Sequence, residues 1–290
     1  MKTLEINTGN LGNPVFKSNI GHNIFNQLAV KIDMNQISDE AYFDWLDETI
    51  KTTAAVIPGA SFLEKEGVRR NPPLNTAVYY DTIHYELLPT GALLRTSCSI
   101  LTHAFCAFKM PEDEHGNRLD RRHVFEGENK KTIQFAPYSN ESIAIVKALL
   151  NRKDIDHPGM FLEQEFGISP NELSPALVLF GRRSTFYVLL DNKDVLRCSL
   201  DRSEVFDYRK DPEGKNKKFF KEVEISIYPR ISEELTKDKR VVELINFLVF
   251  SLTKRFNTKV IYDIKYQRGA KILDFFKMTT AFLPDVGVQR

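Results

Sequence analysis

Apolar and polar positions alternate with period two along much of this chain, and the run KFFKEVEISIY from Lys218 to Tyr228 shows it most clearly. Read as a β-strand, it projects Val223 and Ile225 from one face and Glu222 and Glu224 from the other. A strand apolar on one side and doubly acidic on the other needs something opposite its acids. A metal ion, a ring of Lys and Arg, or water would each serve.

The same reading divides the rest of the chain. The first twenty residues, rich in Gly and Asn, form an irregular arm, and Phe25 to Asp33 reads as a strand. Ser38 offers an N-cap, with Asp39 and Glu40 in the first turn, to a helix ending near Ala55. Its apolar positions Ala41, Trp45, Ile50 and Ala54 give a partial stripe. From Asn75 to Glu128 come four strands, TAVYYDT, ALLRTSCSI, HAFCAFKM and RRHVFEGE, with PEDEHGNRLD as a polar hairpin loop. Ser139 to Leu150 reads as a helix.

A second strand group follows: ALVLFGRR, STFYVLL, VLRCSLDRSEVF and the acidic strand, with KDPEGKNKK as another hairpin loop. Ile231 to Phe256 reads as one long helix, TKVIYDI as strand-like, and Ala270 to Lys277 as helical. Two groups of mainly antiparallel strands, each closed by a helix, predict an α+β protein. The expected core is a closed antiparallel β-barrel with helices packed outside. The irregular arm and the insert from Asp154 to Ser174 are candidate sites of partner contact.

Composition narrows the class. The chain has 290 residues, enough for one large domain or two modest ones, and is 42% hydrophobic and 27% charged. Forty basic against thirty-nine acidic residues argue against a DNA or membrane-surface binder, yet leave room for a concentrated basic interior. Cys98, Cys106 and Cys198 are scattered, without CxxC spacing, and read as reduced core thiols. The N-terminus has no apolar signal region, and the most apolar stretch, Val241 to Leu252, carries Glu243 and Asn246 and reads as a buried helix. The expectation is a soluble, cytoplasmic protein.

Candidate chemistry lies in the strands. Arg95, Lys109, Arg121, Arg122, Arg182, Arg183 and Lys265 sit in or beside strand-like segments, nearly one cation per strand. If those faces point into one interior, Arg forks and Lys point charges there suit a chain of phosphates. Carboxylates could then hold a divalent ion bridging phosphate oxygens. The six histidines show no HxxxH or HExxH spacing, and no P-loop, GxSxG or GxGxxG is present. His103 and His123 share strand parity with Lys109 and Arg121, so each could line an interior. Lys215 to Lys218 reads as a solvated hairpin tip.

These residues resemble the CYTH, or triphosphate tunnel, family. VYYDTIHYELLPTGALLRTSCS supplies the family-like Tyr79, Tyr80, Asp81, Thr82, Leu87, Gly91, Leu94 and Arg95. In the family's order then come Lys109, Arg121 with Arg122, Arg182 with Arg183, Ser199 to Asp201, Glu222 to Glu224, and KYQRG at Lys265 to Gly269. The likeness spans about Phe25 to Phe276, giving an expected tunnel domain over 25–278, an arm over 1–24 and a tail over 279–290.

The resemblance implies an eight-stranded antiparallel tunnel that binds a triphosphate and, with Mg²⁺ or Mn²⁺, hydrolyses it or cyclises ATP. Carried over, Arg95, Lys109, Arg122, Arg182 and Lys265 would contact phosphate. Glu222 and Glu224 would hold metal, with Asp201 a weaker ligand, and Lys31 would join the two glutamates in the catalytic set. The family's opening Glu-x-Glu-x-Lys is matched by Gln27-Leu28-Ala29-Val30-Lys31, which keeps the lysine and lacks both carboxylates. Glu5-Ile6-Asn7 keeps one Glu without the Lys. Acidic positions after the middle-strand Arg fall on His123 and Phe125, and a shifted register would bring in Glu126 and Glu128.

The leading expectation is therefore a metal-dependent triphosphatase acting on an inorganic, nucleoside or other organic triphosphate. A binding-only polyphosphate or nucleotide sensor, an adenylate cyclase, and a structural barrel with internally paired charges are the alternatives.

Overall fold

The computed structural model describes residues 22–26, 29–64, 67–111, 117–155 and 157–275. The arm up to residue 21, the tail, Gln27 and Leu28 lie outside the described residues.

The chain opens with β1 (His22–Asn26), β2 (Ala29–Asp33), α1 (Asp39–Val56) and β3 (Ala60–Glu64). Next come β4 (Leu74–Asp81), a 3-10 turn (Leu88–Thr90), β5 (Leu93–Cys98), β6 (Ala104–Lys109) and β7 (Asn117–Val124). Helices α2 (Gly127–Phe135), α3 (Asn140–Leu150) and α4 (Gly159–Phe166) follow, then a second 3-10 turn (Pro170–Glu172). The long strands β8 (Ser174–Leu190), β9 (Lys193–Asp207) and β10 (Lys218–Ile227) lead to α5 (Glu233–Thr236) and α6 (Lys239–Phe256). The described chain closes with β11 (Val260–Ile261) and α7 (Lys265–Ile272).

All strands join one antiparallel sheet in the order β1-β7-β6-β5-β4-β8-β9-β10-β2-β11, with β3 added to β8. The expected closed barrel is corrected: among the described residues no ladder joins the β1 end to the β11 end. The two ends are nevertheless tied. Asn26 of β1 and Ala29 of β2 are three Cα steps apart, at most about 11 Å, although they pair with β7 and β10 at opposite sides of the order. The sheet must curl for that to happen. The single strand expected over Phe25 to Asp33 is thus two strands serving different neighbours.

Alternation sorts the side chains onto two faces. On one face, Ile32, Phe186, Val188, Cys198, Leu200, Val223 and Ile225 are buried with Trp45, Leu46, Leu244, Leu248 and Leu252 of α1 and α6. Farther round the same face, Val78, Tyr80, Leu94, Cys106 and Phe108 pack with Ile133, Val146, Leu150 and Leu162 of α2, α3 and α4. Among the described residues the opposite face carries one short helix: Tyr79, Leu177, Leu179 and Phe220 are buried with Tyr266 and Ala270 of α7. Two helical layers need the larger, convex side of a curled sheet, so α7 lies on the concave side. The expectation that all helices pack outside is corrected for α7. All three cysteines are buried and unpaired.

Local chemistry sets the helix ends. Ser38 caps α1 by accepting the Ala41 amide at 3.1 Å, as its sequence position predicts. Asp238 caps α6, so the expected single helix from Ile231 is interrupted before it. The α6 stripe Val241, Leu244, Ile245, Leu248, Val249 and Leu252 repeats at three and four residues and supplies the buried face. The strand expected over RRHVFEGE stops at Val124. Glu126 is the N-cap of α2, and Glu128 stands in its first turn with a side chain 83% exposed, so no register shift returns either to the sheet. The helix expected over Ala270 to Lys277 begins earlier, at Lys265. The insert expected to be irregular contains α4. Among the described residues no helix is long and apolar enough to cross a membrane.

Candidate functional site

The acidic strand β10 meets β9 and β2 in a register that aligns charged residues on the concave face. Arg183, Asp201, Glu222 and Asp33 form one cross-strand row over β8, β9, β10 and β2. Two residues along each strand, Thr185, Ser199, Glu224 and Lys31 form the next. Both glutamates therefore face the concavity, while Val223 between them lies in the helix-covered core.

Helix α7 delivers two cations into this cluster. Lys265 Nζ lies 2.6 Å from Glu222 Oε1, 2.7 Å from Asp201 Oδ2 and 3.5 Å from Glu224 Oε2. One turn on, Arg268 donates Nη1 to Glu222 Oε2 at 2.9 Å and Nη2 to Asp33 Oδ1 at 2.6 Å. Arg183 grips Asp201 with two bonds, Nε to Oδ1 at 2.7 Å and Nη2 to Oδ2 at 2.5 Å. Glu224 is held less closely, by Arg183 at 3.7 Å and Arg197 at 3.8 Å.

Burial by itself raises the Asp201 carboxyl, but Arg183 and Lys265 overcome it and hold Asp201 well below the usual carboxylate range. Glu224 follows the same logic: burial raises it, Lys265 and Arg183 lower it, and it settles at about 2. Burial disfavours the charged Lys265, yet Asp201, Glu222 and Glu224 raise it above the ordinary lysine value. Asp201, Glu224 and Lys265 are therefore ionised at neutral pH.

The position of α7 is fixed by aromatic and polar contacts. The Tyr266 ring stacks on Tyr79 at 4.9 Å, within 4° of parallel, and its hydroxyl donates to Asp81 Oδ2 at 2.9 Å. Asp81, fully buried, also accepts the backbone amides of Thr82, Leu87 and Leu88. Gly269 allows the close approach: a Cβ there would lie 2.7 Å from Leu177 Cδ1.

A second charged group lies on the same face along β5, β6 and β7. Arg95, Lys109, Asp120 and Arg122 fall on the side opposite the core residues Leu94, Phe108 and Cys106. Asp120, 2% exposed, is 3.2 Å from Lys109 Nζ and 3.5 Å from Arg122 Nη2. The Nε atoms of Arg95 and Arg122 are buried without a hydrogen-bond acceptor among the described residues.

Of the residues singled out in the sequence, Lys31, Arg95, Lys109, Arg122, Asp201, Glu222, Glu224 and Lys265 thus share the concave face. Arg182 does not. It points to the convex side and donates Nη1 to the Pro72 carbonyl at 3.2 Å, while its neighbour Arg183 faces inward. Arg121 is likewise outward, its guanidinium 3.9 Å from the centre of the Phe161 ring. His123 follows Arg121 in register opposite the core residue Cys106, so it does not line the concavity, whereas His103, just before β6, stacks on the inward Phe105 at 5.2 Å.

Sequence reasoning missed Asp33, Asp120, Arg197 and Arg268. Reading KYQRG as helical would have flagged Arg268, because i and i+3 share a helix face. The others needed the register.

The trio Asp201, Glu222 and Glu224 fits a hard divalent cation. Their nearest ligand oxygens lie within 4.8 Å of one another, and all are carboxylates, the donors that Mg²⁺ and Mn²⁺ take. The Lys265 ammonium touches all three, so a metal ion there would have to take over that counter-charge.

No family model matches the chain, and no curated protein matches it by sequence. Solved structures do match. A candidate adenylate cyclase from Bacillus halodurans is 14% identical with a TM-score of 0.48, over 86% of this chain and 98% of that one. An adenylyl cyclase candidate from Hippeastrum, described as having a dominant triphosphatase activity, is 13% identical with a TM-score of 0.45, over 91% and 98%. The PH1819 protein of Pyrococcus horikoshii OT3 is 13% identical with a TM-score of 0.39, over 78% and 89%. At these identities and TM-scores the likeness assigns no residue roles to this chain.

Proposed function

We propose that the concave face binds a triphosphate-bearing anion and, with Mg²⁺ or Mn²⁺ on Asp201, Glu222 and Glu224, hydrolyses its phosphoanhydride bond. The observation that carries this is convergence: Lys31, Arg95, Lys109, Arg122, Arg183 and Arg197 bring cations from six strands to the face that bears the carboxylate trio. A chain of phosphates matches that layout better than a single anion does, because the cations are strung across the sheet. Arg183 and Arg197 orient the phosphates nearest the carboxylates, and Arg95, Lys109 and Arg122 neutralise the rest. The bound ion would polarise a phosphoryl oxygen and acidify a water. Lys265, released from the carboxylates, is then free to neutralise charge on the transferring group.

A second reading, binding without turnover, is favoured by one specific observation. Lys265, Arg183 and Arg268 already satisfy the trio, and positions 27 and 29 are Gln and Ala instead of carboxylates. One sample separates the two readings. Tripolyphosphate, ATP and thiamine triphosphate are screened with Mg²⁺ and Mn²⁺, following melting temperature, orthophosphate and cyclic AMP. Hydrolysis predicts ligand stabilisation together with orthophosphate, lost in the double variant Glu222→Gln/Glu224→Gln. Stabilisation without phosphate release supports the sensor. Cyclic AMP would mark a cyclase, and no response to any polyanion rejects every binding reading.

A further inference from the structure

We propose that the β5–β6 hairpin end of the concave face is a stacking platform for a nucleobase, so that the preferred ligand of the cavity is a nucleoside triphosphate rather than inorganic tripolyphosphate. This rests on the triphosphate-binding reading above and adds the organic half of the ligand.

Phe105 is the second residue of β6, and its partners across the sheet are Ser97 and Val124. It occupies the inward parity of Lys109, two inward positions away and thus about 14 Å along the strand. The Arg122 guanidinium lies over the Phe105 ring at 4.2 Å, and the His103 ring stacks beside it at 5.2 Å with 27° between planes. The rings of His103 and Phe105 and the Arg122 plane make a column at the hairpin end, and the cations Arg95 and Lys109 lead away from it. His103 and Phe105 are each partly exposed, and Val124 and Leu101 nearby are 57% and 83% exposed.

Phosphates held by the cations would bring an attached ring to this column. Stacking on aromatic and guanidinium planes is how proteins bind bases without reading their edges. The neighbouring charge also selects the ring. Burial first, and then Arg122 and Arg95, lower the His103 pKa and favour neutral imidazole. A positively charged ring, as in thiamine, would meet Arg122 and be disfavoured.

The test is calorimetric titration of tripolyphosphate, ATP and thiamine triphosphate into the parent protein and into Phe105→Leu, His103→Leu and Phe105→Trp. Melting curves verify that each variant is folded. The parent should bind ATP more tightly than either other ligand. The ratio of ATP to tripolyphosphate affinity should fall about tenfold in Phe105→Leu and His103→Leu and persist in Phe105→Trp. If tripolyphosphate binds but the ratio stays constant across the variants, the platform is overturned and the triphosphate cavity stands. If the parent binds none of the three ligands, the cavity reading falls and the platform with it.

Discussion

Replacing Lys265 with methionine removes an ammonium that touches Asp201, Glu222 and Glu224 together, while keeping most of the side-chain volume. At an effective dielectric of about 20, each contact near 2.7 Å is worth about 6 kcal/mol before desolvation. Desolvation of the ammonium cancels most of that. Removing one partner from comparable buried ion clusters costs about 3–5 kcal/mol, because the remaining charges stay buried and uncompensated. Here Asp201 keeps Arg183 and Glu222 keeps Arg268, whereas Glu224 is left with contacts of 3.7 and 3.8 Å, so the lower half of that range applies.

For a chain of this size the loss is a fall in Tm of about 5–7 °C, measured by calorimetry at pH 7.5 without divalent ions. The pH dependence has a definite sign. In the parent, Asp201 and Glu224 are lowered, so their stabilisation is present above their ordinary values and disappears as pH falls, for Glu224 between about 4.5 and about 2. In the methionine variant Asp201 and Glu224 lose the Lys265 charge that lowers them, and they protonate at higher pH. The gap between parent and variant should be widest near neutrality and narrow in acid. Mn²⁺ should raise the variant's Tm more than the parent's, since the ion then replaces the missing charge. A Tm loss under 2 °C at pH 7.5, with no narrowing in acid and no added response to Mn²⁺, would refute Lys265 as the counter-charge of this cluster.

Three further outcomes follow from the side-chain geometry. Arg183→Ala should weaken tripolyphosphate binding at least tenfold by titration, whereas Arg182→Ala, on the convex side, should change it less than twofold. Tyr266→Phe removes the hydroxyl donor from buried Asp81, which keeps three backbone amides, and should cost about 1–2 kcal/mol in urea unfolding. Gly269→Ala sets a methyl against Leu177 and should cost about 1–3 kcal/mol by the same measurement, by pushing α7 off the sheet.

Much of the site could be read from alternation within single strands. Glu222 and Glu224 had to share a face with Val223 opposite, and Asp201 and Lys109 obeyed the same rule. Reading failed where alternation has no absolute phase. Arg182 and Arg183 are adjacent, so one must face inward, and nothing local says which. The pairing of Arg183 with Asp201 across β8 and β9 decides it. Asp33 and Asp120 look like ordinary strand-end and loop-side acids until register sets them beside Arg268 and Lys109.

By itself, then, the sequence determined the local elements: most strands, the Ser38 cap, the buried apolar stripe of α6, and the carboxylate pair on one side of β10. Periodicity and capping act over a few residues, so they are written locally. Only the tertiary structure decided that the sheet curls with no closing ladder among the described residues, that β1 and β2 pair at its two ends, and that α7 packs within the concavity. Those outcomes depend on contacts between segments more than a hundred residues apart, such as Arg268 of α7 with Asp33 of β2. Their energies are sums over the assembled cluster, and no window of sequence contains them.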